Sequence, residues 1–288
     1  MLTKVCTYDA VPGYFVQGDQ PPSPASIIAV PPRFGLKNDG EDGWHDFKST
    51  IDELNATDPA NAEYKVLFLG RHGEGYHNLG RKKYGKEEWM RYYSLIGGDD
   101  EMTWAPDAQL TPLGHTQAYA VRDAWKEEIK CGIPIPQRCY VSPLRRALET
   151  WTDIFSGNGR HTVLPGDRRI VTIVENCRES YGLHPCDMRL SRSKLQAFFP
   201  PPMYQFEPGF TEEDVLWSKD ERECEEHIRQ RARYVLDMIF AEPEIYVSVT
   251  THGWFIRGLL AEIDHAPHAI PTGGVLPVVI RREWRHVN

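Results

Sequence analysis

An arginine followed directly by a histidine can handle phosphorus, and residues 65–78 hold that pair: Lys-Val-Leu-Phe-Leu-Gly-Arg-His-Gly-Glu-Gly-Tyr-His-Asn. An imidazole can attack a phosphoryl group, while a guanidinium grips its equatorial oxygens. The apolar run over residues 66–69 predicts a short buried strand that stops at Gly70. Arg71 and His72 then stand at a strand end, where an open α/β sheet presents its reactive groups. Gly73 predicts a close backbone approach to the ligand. The plainer alternative is a polar loop whose histidine is merely hydrogen-bonded.

Three further segments weigh against that alternative. Ser142-Pro143-Leu144-Arg145-Arg146-Ala147 predicts a helix start whose amides can add to an anion site, with one of its two arginines turned into the same crevice. Cys177-Arg178-Glu179-Ser180-Tyr181-Gly182 follows a predicted strand and offers a carboxylate. Thr250-Thr251-His252-Gly253 sets a second imidazole where a strand gives way to a helix. Each alone has an ordinary reading as a satisfied histidine, a solvated helix face or a surface carboxylate. Together they supply a nucleophile, cations, an acid and a second imidazole, the inventory of a phosphohistidine mechanism.

A strand and helix alternation positions these groups. Strands are predicted at 66–69, up to 141, at 170–174, 245–250 and 275–280. Helices are predicted at 111–129, with Thr111 as N-cap and Leu113, Ala120, Ala124 and Trp125 among its apolar positions, and at 143–155, with Ser142 as cap. Two more follow at 221–240 and 253–263. The expected fold is α/β, a mostly parallel central sheet with helices on both faces. Before it, Trp44, Phe47, Ile51 and Leu54 mark one apolar face of a docking helix. The first 40 residues, punctuated by Gln20-Pro21-Pro22-Ser23-Pro24 and Val30-Pro31-Pro32, read as an extended arm. The division is therefore an arm and docking helix over 1–62 and a catalytic domain over 63–288. Within it, 181–220 is an insertion covering one end of the sheet.

The 288 residues carry a net charge of −8, which gives no reason to expect nucleic acid or an anionic membrane as partner. No apolar run approaches the roughly 18 residues of a membrane span, and no secretory leader is visible. Six widely spaced cysteines, none in a C-x-x-C pair, read as reduced thiols of a cytoplasmic protein.

In its motifs the chain resembles the histidine phosphatase superfamily, the phosphoglycerate mutase-like branch. The matching residues are Arg71-His72-Gly73-Glu74, Leu110-Thr111-x-x-Gly114, Ser142-x-x-x-Arg146-Ala147-x-x-Thr150 and Thr251-His252-Gly253, in the family's order. Arg71-His72-Gly73-x-Gly75-Tyr76-His77-Asn78 and Leu183-His184-Pro185-Cys186-Asp187-x-Arg189 look similar to uncharacterised, largely fungal and plant members. The resemblance implies that His72 is the phosphorylated nucleophile. Arg71, Arg146 and His252 would form the phosphate pocket, with Asn78 on its rim. Arg146 rather than Arg145 matches, because it precedes Ala147. Glu179 would be the proton donor and later the base, since His252 is followed by Gly253 and not by an aspartate. Gly253, Arg189 and His184 join the substrate-binding set. Arg189 either contacts a second anionic group or pairs with Asp187. Arg81, Lys82 and Lys83 extend the positive field or, the favoured reading, form a solvated loop. Trp89, Trp104, Phe198 and Phe199 enclose substrate or, the favoured reading, pack in the core. His77 has no assigned role. No metal and no cofactor is expected.

The implied activity is hydrolysis of a small-molecule phosphate monoester through phosphohistidine. The alternatives are a phosphoglycerate mutase-type transfer, a specialised biosynthetic enzyme acting on an unusual ester or diphosphate, and a non-catalytic binding protein on the same fold. Nothing in the sequence bears on oligomeric state.

Overall fold

The computed structural model describes residues 3–18, 28–156, 162–165 and 170–287; the proline-punctuated stretch 20–24 lies outside them. The strands are β1 (Thr3–Ala10), β2 (Ala62–Arg71), β3 (Arg138–Val141), β4 (Val171–Ile173), β5 (Tyr204–Phe206), β6 (Tyr246–Thr251) and β7 (Val275–Val287). They form one sheet in the order β1-β7-β2-β6-β3-β4-β5. From β2 to β5 every neighbouring pair is parallel, and β7 and β1 close the other side antiparallel. The helices are α1 (Gly43–Thr57), α2 (Tyr76–Arg91), α3 (Pro112–Lys130), α4 (Arg145–Trp151), α5 (Arg192–Phe198), α6 (Glu225–Phe240) and α7 (Gly253–Glu262).

β2 lies inside the sheet and is buried from Lys65 to Gly70, which is why its sequence is a continuous apolar run rather than an alternation. Its side chains still divide by parity. Val66 and Phe68 join the core under α1, α3 and α4, with Trp44, Ile51, Trp125 and Trp151. Leu67 and Leu69 join the core under α6 and α7, with Val235, Ile239, Phe255 and Leu259. Helices therefore cover both faces, as expected.

Several details differ from the sequence reading. The arm includes β1, which pairs along its length with β7, and Phe15 and Phe34 enter the main core. The helix predicted from Pro143 starts at Arg145 with Leu144 at its N-cap, and a π-turn continues it over Thr152–Ser156. Leu113 is 49% exposed and Ala120 is also exposed. The inward face of α3 is instead Ala118, Val121 and Trp125. Residues 181–220 do more than cover the sheet, for they supply α5 and the edge strand β5.

Trp44, Phe47 and Ile51 are buried on one face of α1, as their spacing predicts. Ile51→Ala should cost about 2–5 kcal/mol, the usual range for truncating a buried isoleucine. Urea denaturation should show that loss in one transition shared by the whole chain. A separate early transition, with the main one unmoved, would show that α1 is not part of the core's cooperative unit.

Candidate active site

The site is assembled by strand register. β2 and β6 are parallel with Arg71 opposite Thr251, and the His72 amide donates to the Thr251 carbonyl at 3.0 Å. The next residue on each chain is a histidine, so the two imidazoles meet with ring centroids 4.9 Å apart. β3 ends alongside, with Val141 opposite Thr250. Its next residue, Ser142, meets His252 Nε2 at 2.7 Å. The Gly73 amide donates to Thr150 Oγ1 at 2.9 Å, and that hydroxyl donates to the Arg146 carbonyl at 2.6 Å. The loop bearing His72 is thereby tied to the helix bearing Arg146.

Gly73 serves a different purpose from the one its sequence suggests. A Cβ there would lie 2.4 Å from the Gly114 carbonyl oxygen, so the glycine admits the first turn of α3 rather than a ligand. Glu74 is also drawn away, accepting from the Thr111 hydroxyl at 2.9 Å. Nor do the first amides of the Ser142 segment face an anion. Leu144 N donates to Ser142 Oγ and Arg145 N to Asp107 Oδ1.

Hydrogen bonding sets the tautomer of His72 and bears on that of His252. His72 Nδ1 lies 2.6 Å from the Gly73 carbonyl, which can only accept, so Nδ1 carries the hydrogen and Nε2 keeps its lone pair. Ser142 Oγ accepts from Leu144 N and has one hydrogen of its own, which it can donate to His252 Nε2. With that donation the single N–H of the neutral His252 ring lies on Nδ1, which is buried without a partner. Burial, then the nearby Arg146, holds both histidines well below their usual pKa.

Two guanidiniums flank this pair. Arg71 donates to the Ile270 carbonyl at 2.7 Å, and its Nε is buried without a partner. Gly253 lies beside that Nε, for a Cβ there would be 3.5 Å from it, in ordinary contact. Arg146 is fully buried, bonded to the Cys186 carbonyl at 2.9 Å and to Asp187 at 2.8 Å, again with Nε unpartnered. Arg145 turns elsewhere, to Glu149 and the Phe198 ring. Arg146 is thus the arginine that enters the site.

Glu179 and Asp187 are neighbouring carboxyls whose pKa values are pushed in opposite directions. Burial, reinforced by Asp187, raises the Glu179 pKa against the pull of Arg146 and Arg222. Glu179 Oε1 accepts from Ser180 N at 2.9 Å and from Trp254 N, in the first turn of α7, at 3.1 Å. Burial would raise Asp187 too, but Arg222 and Arg146, each 2.8 Å away, outweigh it and keep the pKa low. Carboxyls pushed apart in this way can divide the roles of proton donor and fixed charge. Arg222 escaped the sequence reading. It sits in an unremarkable charged stretch, and the only hint was that a buried Asp187 would need cations.

The other expected residues divide. Asn78 caps α2, its Oδ1 accepting from the Gly75 amide at 3.0 Å. His184 stands behind Asp187, 3.9 Å from its Oδ2. Arg189 does not pair with Asp187, and its guanidinium is directed into the protein. It is buried with every donor nitrogen engaged, by Glu175, Thr211 and the carbonyls of Leu190, Glu212 and Glu213. Arg81 and Lys82 are exposed, and Lys83 pairs with Asp99 and Glu101. Trp89, Trp104 and Phe199 are core residues, whereas Phe198 is exposed under Arg145. A cavity of about 260 Å³ between residues 10–18 and the start of β7 contains none of these groups. Among the described residues no cluster of His, Cys, Asp and Glu is arranged to hold a metal ion.

Residues 97–272 match the model of the histidine phosphatase superfamily (branch 1). The chain is 37% identical to a "Probable phosphoglycerate mutase" of Arthroderma benhamiae, over 96% of this chain and 85% of that one. It is 34% identical to "Phosphomutase-like protein 3" of Candida albicans, over 96% and 80%. It is 30% identical to "Phosphoglycerate mutase-like protein 1" of Arabidopsis thaliana, over 71% and 73%. The chain belongs to the histidine phosphatase superfamily. The matched span begins after Arg71 and His72, so those two enter the site through geometry.

The buried neutral histidines make a prediction. Each has a folded pKa below the unfolded value of about 6.5, so below that pH the unfolded chain binds protons that the folded one refuses. Stability then falls with falling pH by up to about 1.4 kcal/mol per unit for each histidine. Denaturation midpoints from pH 7 to 5 should therefore fall less steeply in His252→Asn than in wild type. Parallel slopes would show that His252 is not held neutral.

Proposed function

We propose that this protein hydrolyses a small phosphate monoester through a phosphohistidine on His72. The observation that carries the reading is the set of buried donors without partners around one free imidazole nitrogen. Arg71 Nε, Arg146 Nε and His252 Nδ1 are sealed from water and unpaired, beside a His72 ring whose Nε2 is unbonded. Buried donors are normally satisfied, and a phosphoryl group offers the acceptors these lack. The charges agree: Arg146 and Arg222 pair with Asp187, whose pKa they hold low, and Arg71 lies near Glu179, so three guanidiniums meet two carboxyls.

His72 Nε2 attacks phosphorus as the P–O bond to the leaving group breaks, and Glu179 protonates the departing alkoxide. The Gly73 carbonyl holds the Nδ1 hydrogen and stabilises the positive phosphoimidazole. Glu179, now a carboxylate, takes a proton from water as the water oxygen bonds to phosphorus. Phosphate leaves, and His72 returns neutral. Glu179 is only partly buried in the chain, which leaves water a path to it. That openness favours hydrolysis over transfer to a second hydroxyl, the chemistry the relatives' names suggest. Six unpaired cysteines support a cytoplasmic setting.

His72→Ala should lose turnover by several orders of magnitude with its fold intact, and rapid quench of wild type should trap acid-labile, base-stable phosphate. Unchanged turnover would refute the nucleophile. With 3-phosphoglycerate, isomerisation without phosphate release would turn the reading to a mutase. Glu179→Gln should slow alkyl phosphates by about 10²–10⁴-fold, and p-nitrophenyl phosphate much less, since that leaving group needs little protonation. Equal losses on both would remove Glu179 as the acid.

A further inference from the structure

His77 is a titratable group in the site that the mechanism above does not use. It is the second residue of α2, and its ring centroid lies 5.5 Å from that of His72. Nδ1 is buried without a partner, and neither ring nitrogen makes a hydrogen bond among the described residues. The ring is seated rather than loose. A Cβ on Gly75 would lie 2.8 Å from His77 Nδ1 and 2.9 Å from Cε1, so the imidazole occupies the space that a side chain at position 75 would need. A structural histidine in such a place would normally satisfy a neighbouring carbonyl or carboxylate. His77 has none, and the groups around it are cations and imidazoles.

We infer that His77 is a further ligand of the anion, donating one hydrogen bond to the phosphoryl group held at His72; this rests on the phosphohistidine reading of the site. Burial, then the charge of Arg146, keeps the ring neutral, so it carries one N–H and one lone pair. A neutral donor suits a site already crowded with guanidiniums. It adds a fixed dipole toward the anion without another charge to repel Arg71 and Arg146 while the site is free. His77 and His252 then approach His72 as two imidazole donors, with ring centroids 5.5 and 4.9 Å from it.

Orthovanadate inhibition tests this with three proteins: wild type, His77→Phe, which keeps a ring but no donor, and His77→Gln, which restores a donor. Loss of one hydrogen bond to a charged acceptor should weaken vanadate by about 10- to 100-fold in His77→Phe. His77→Gln should recover part of that loss. In the wild-type protein the His77 ring ¹⁵N resonances should move on vanadate addition, which decides the matter even if His77→Phe does not fold. Equal inhibition of wild type and His77→Phe, or ring resonances indifferent to vanadate, overturns the inference. If wild type nevertheless traps phosphohistidine, the reading of the site survives that failure. If wild type neither traps phosphohistidine nor binds vanadate, both fall.

Discussion

The parallel pairing of β2 with β6 is the constraint on which the rest depends. Arg71 lies opposite Thr251, and each strand is followed directly by a histidine. A slip of one residue would send His72 or His252 to the other face of the sheet and separate the rings. The register is secured from both sides. Leu67 and Leu69 are locked under α6 and α7, and Val66 and Phe68 under α1 and α3. The large cores on either face therefore hold two imidazoles a few ångströms apart.

Beyond the sheet, buried arginines position the acid. Arg178 is fully buried and bonded to Asp214, Glu175 and the Asp187 carbonyl, which joins the loop after β4 to the covering segment. Arg231 from α6 grips the carbonyls of Asn176 and Arg178 and pairs with Glu223. Arg189 fastens the segment to Glu175. Breaking such a pair from one side costs about 3–5 kcal/mol, because a charge is left buried alone. These arginines hold the backbone on either side of Glu179 and Asp187. The pKa values of the carboxyls they frame are pushed apart, because Asp187 touches two guanidiniums while Glu179 is met chiefly by amides.

What was legible in the sequence was what local spacing dictates. The apolar run before Arg71, the N-cap and proline opening α3 and the inward face of α1 all follow from period and capping. The places of His72, His252 and Glu179 at or shortly after strand ends were legible too, whereas the choice of Arg146 over Arg145 came from the family motif. What escaped depended on distant partners. β1 pairs with the far end of the chain, and Val5 on it is exposed, so its pattern is weak. Arg189 and Arg222 are the same residue type in similar charged surroundings. Only the tertiary fold sends one into a cage of carbonyls and the other to Asp187. Ser142 looks like a helix cap, yet its hydroxyl is engaged by His252. Gly73 reads as a ligand-facing glycine, but the close approach is made by Gly114.

The central claim is that one phosphoryl group is gripped by Arg71, Arg146 and His252 while His72 Nε2 attacks it. The most direct measurement is a crystal structure of the protein soaked in orthovanadate. Vanadium should be bonded to His72 Nε2, with its oxygens accepting from Arg71 Nε, Arg146 Nε and His252 Nδ1. Vanadate held instead at Arg81 and Lys82, with His72 uncontacted, would contradict the account.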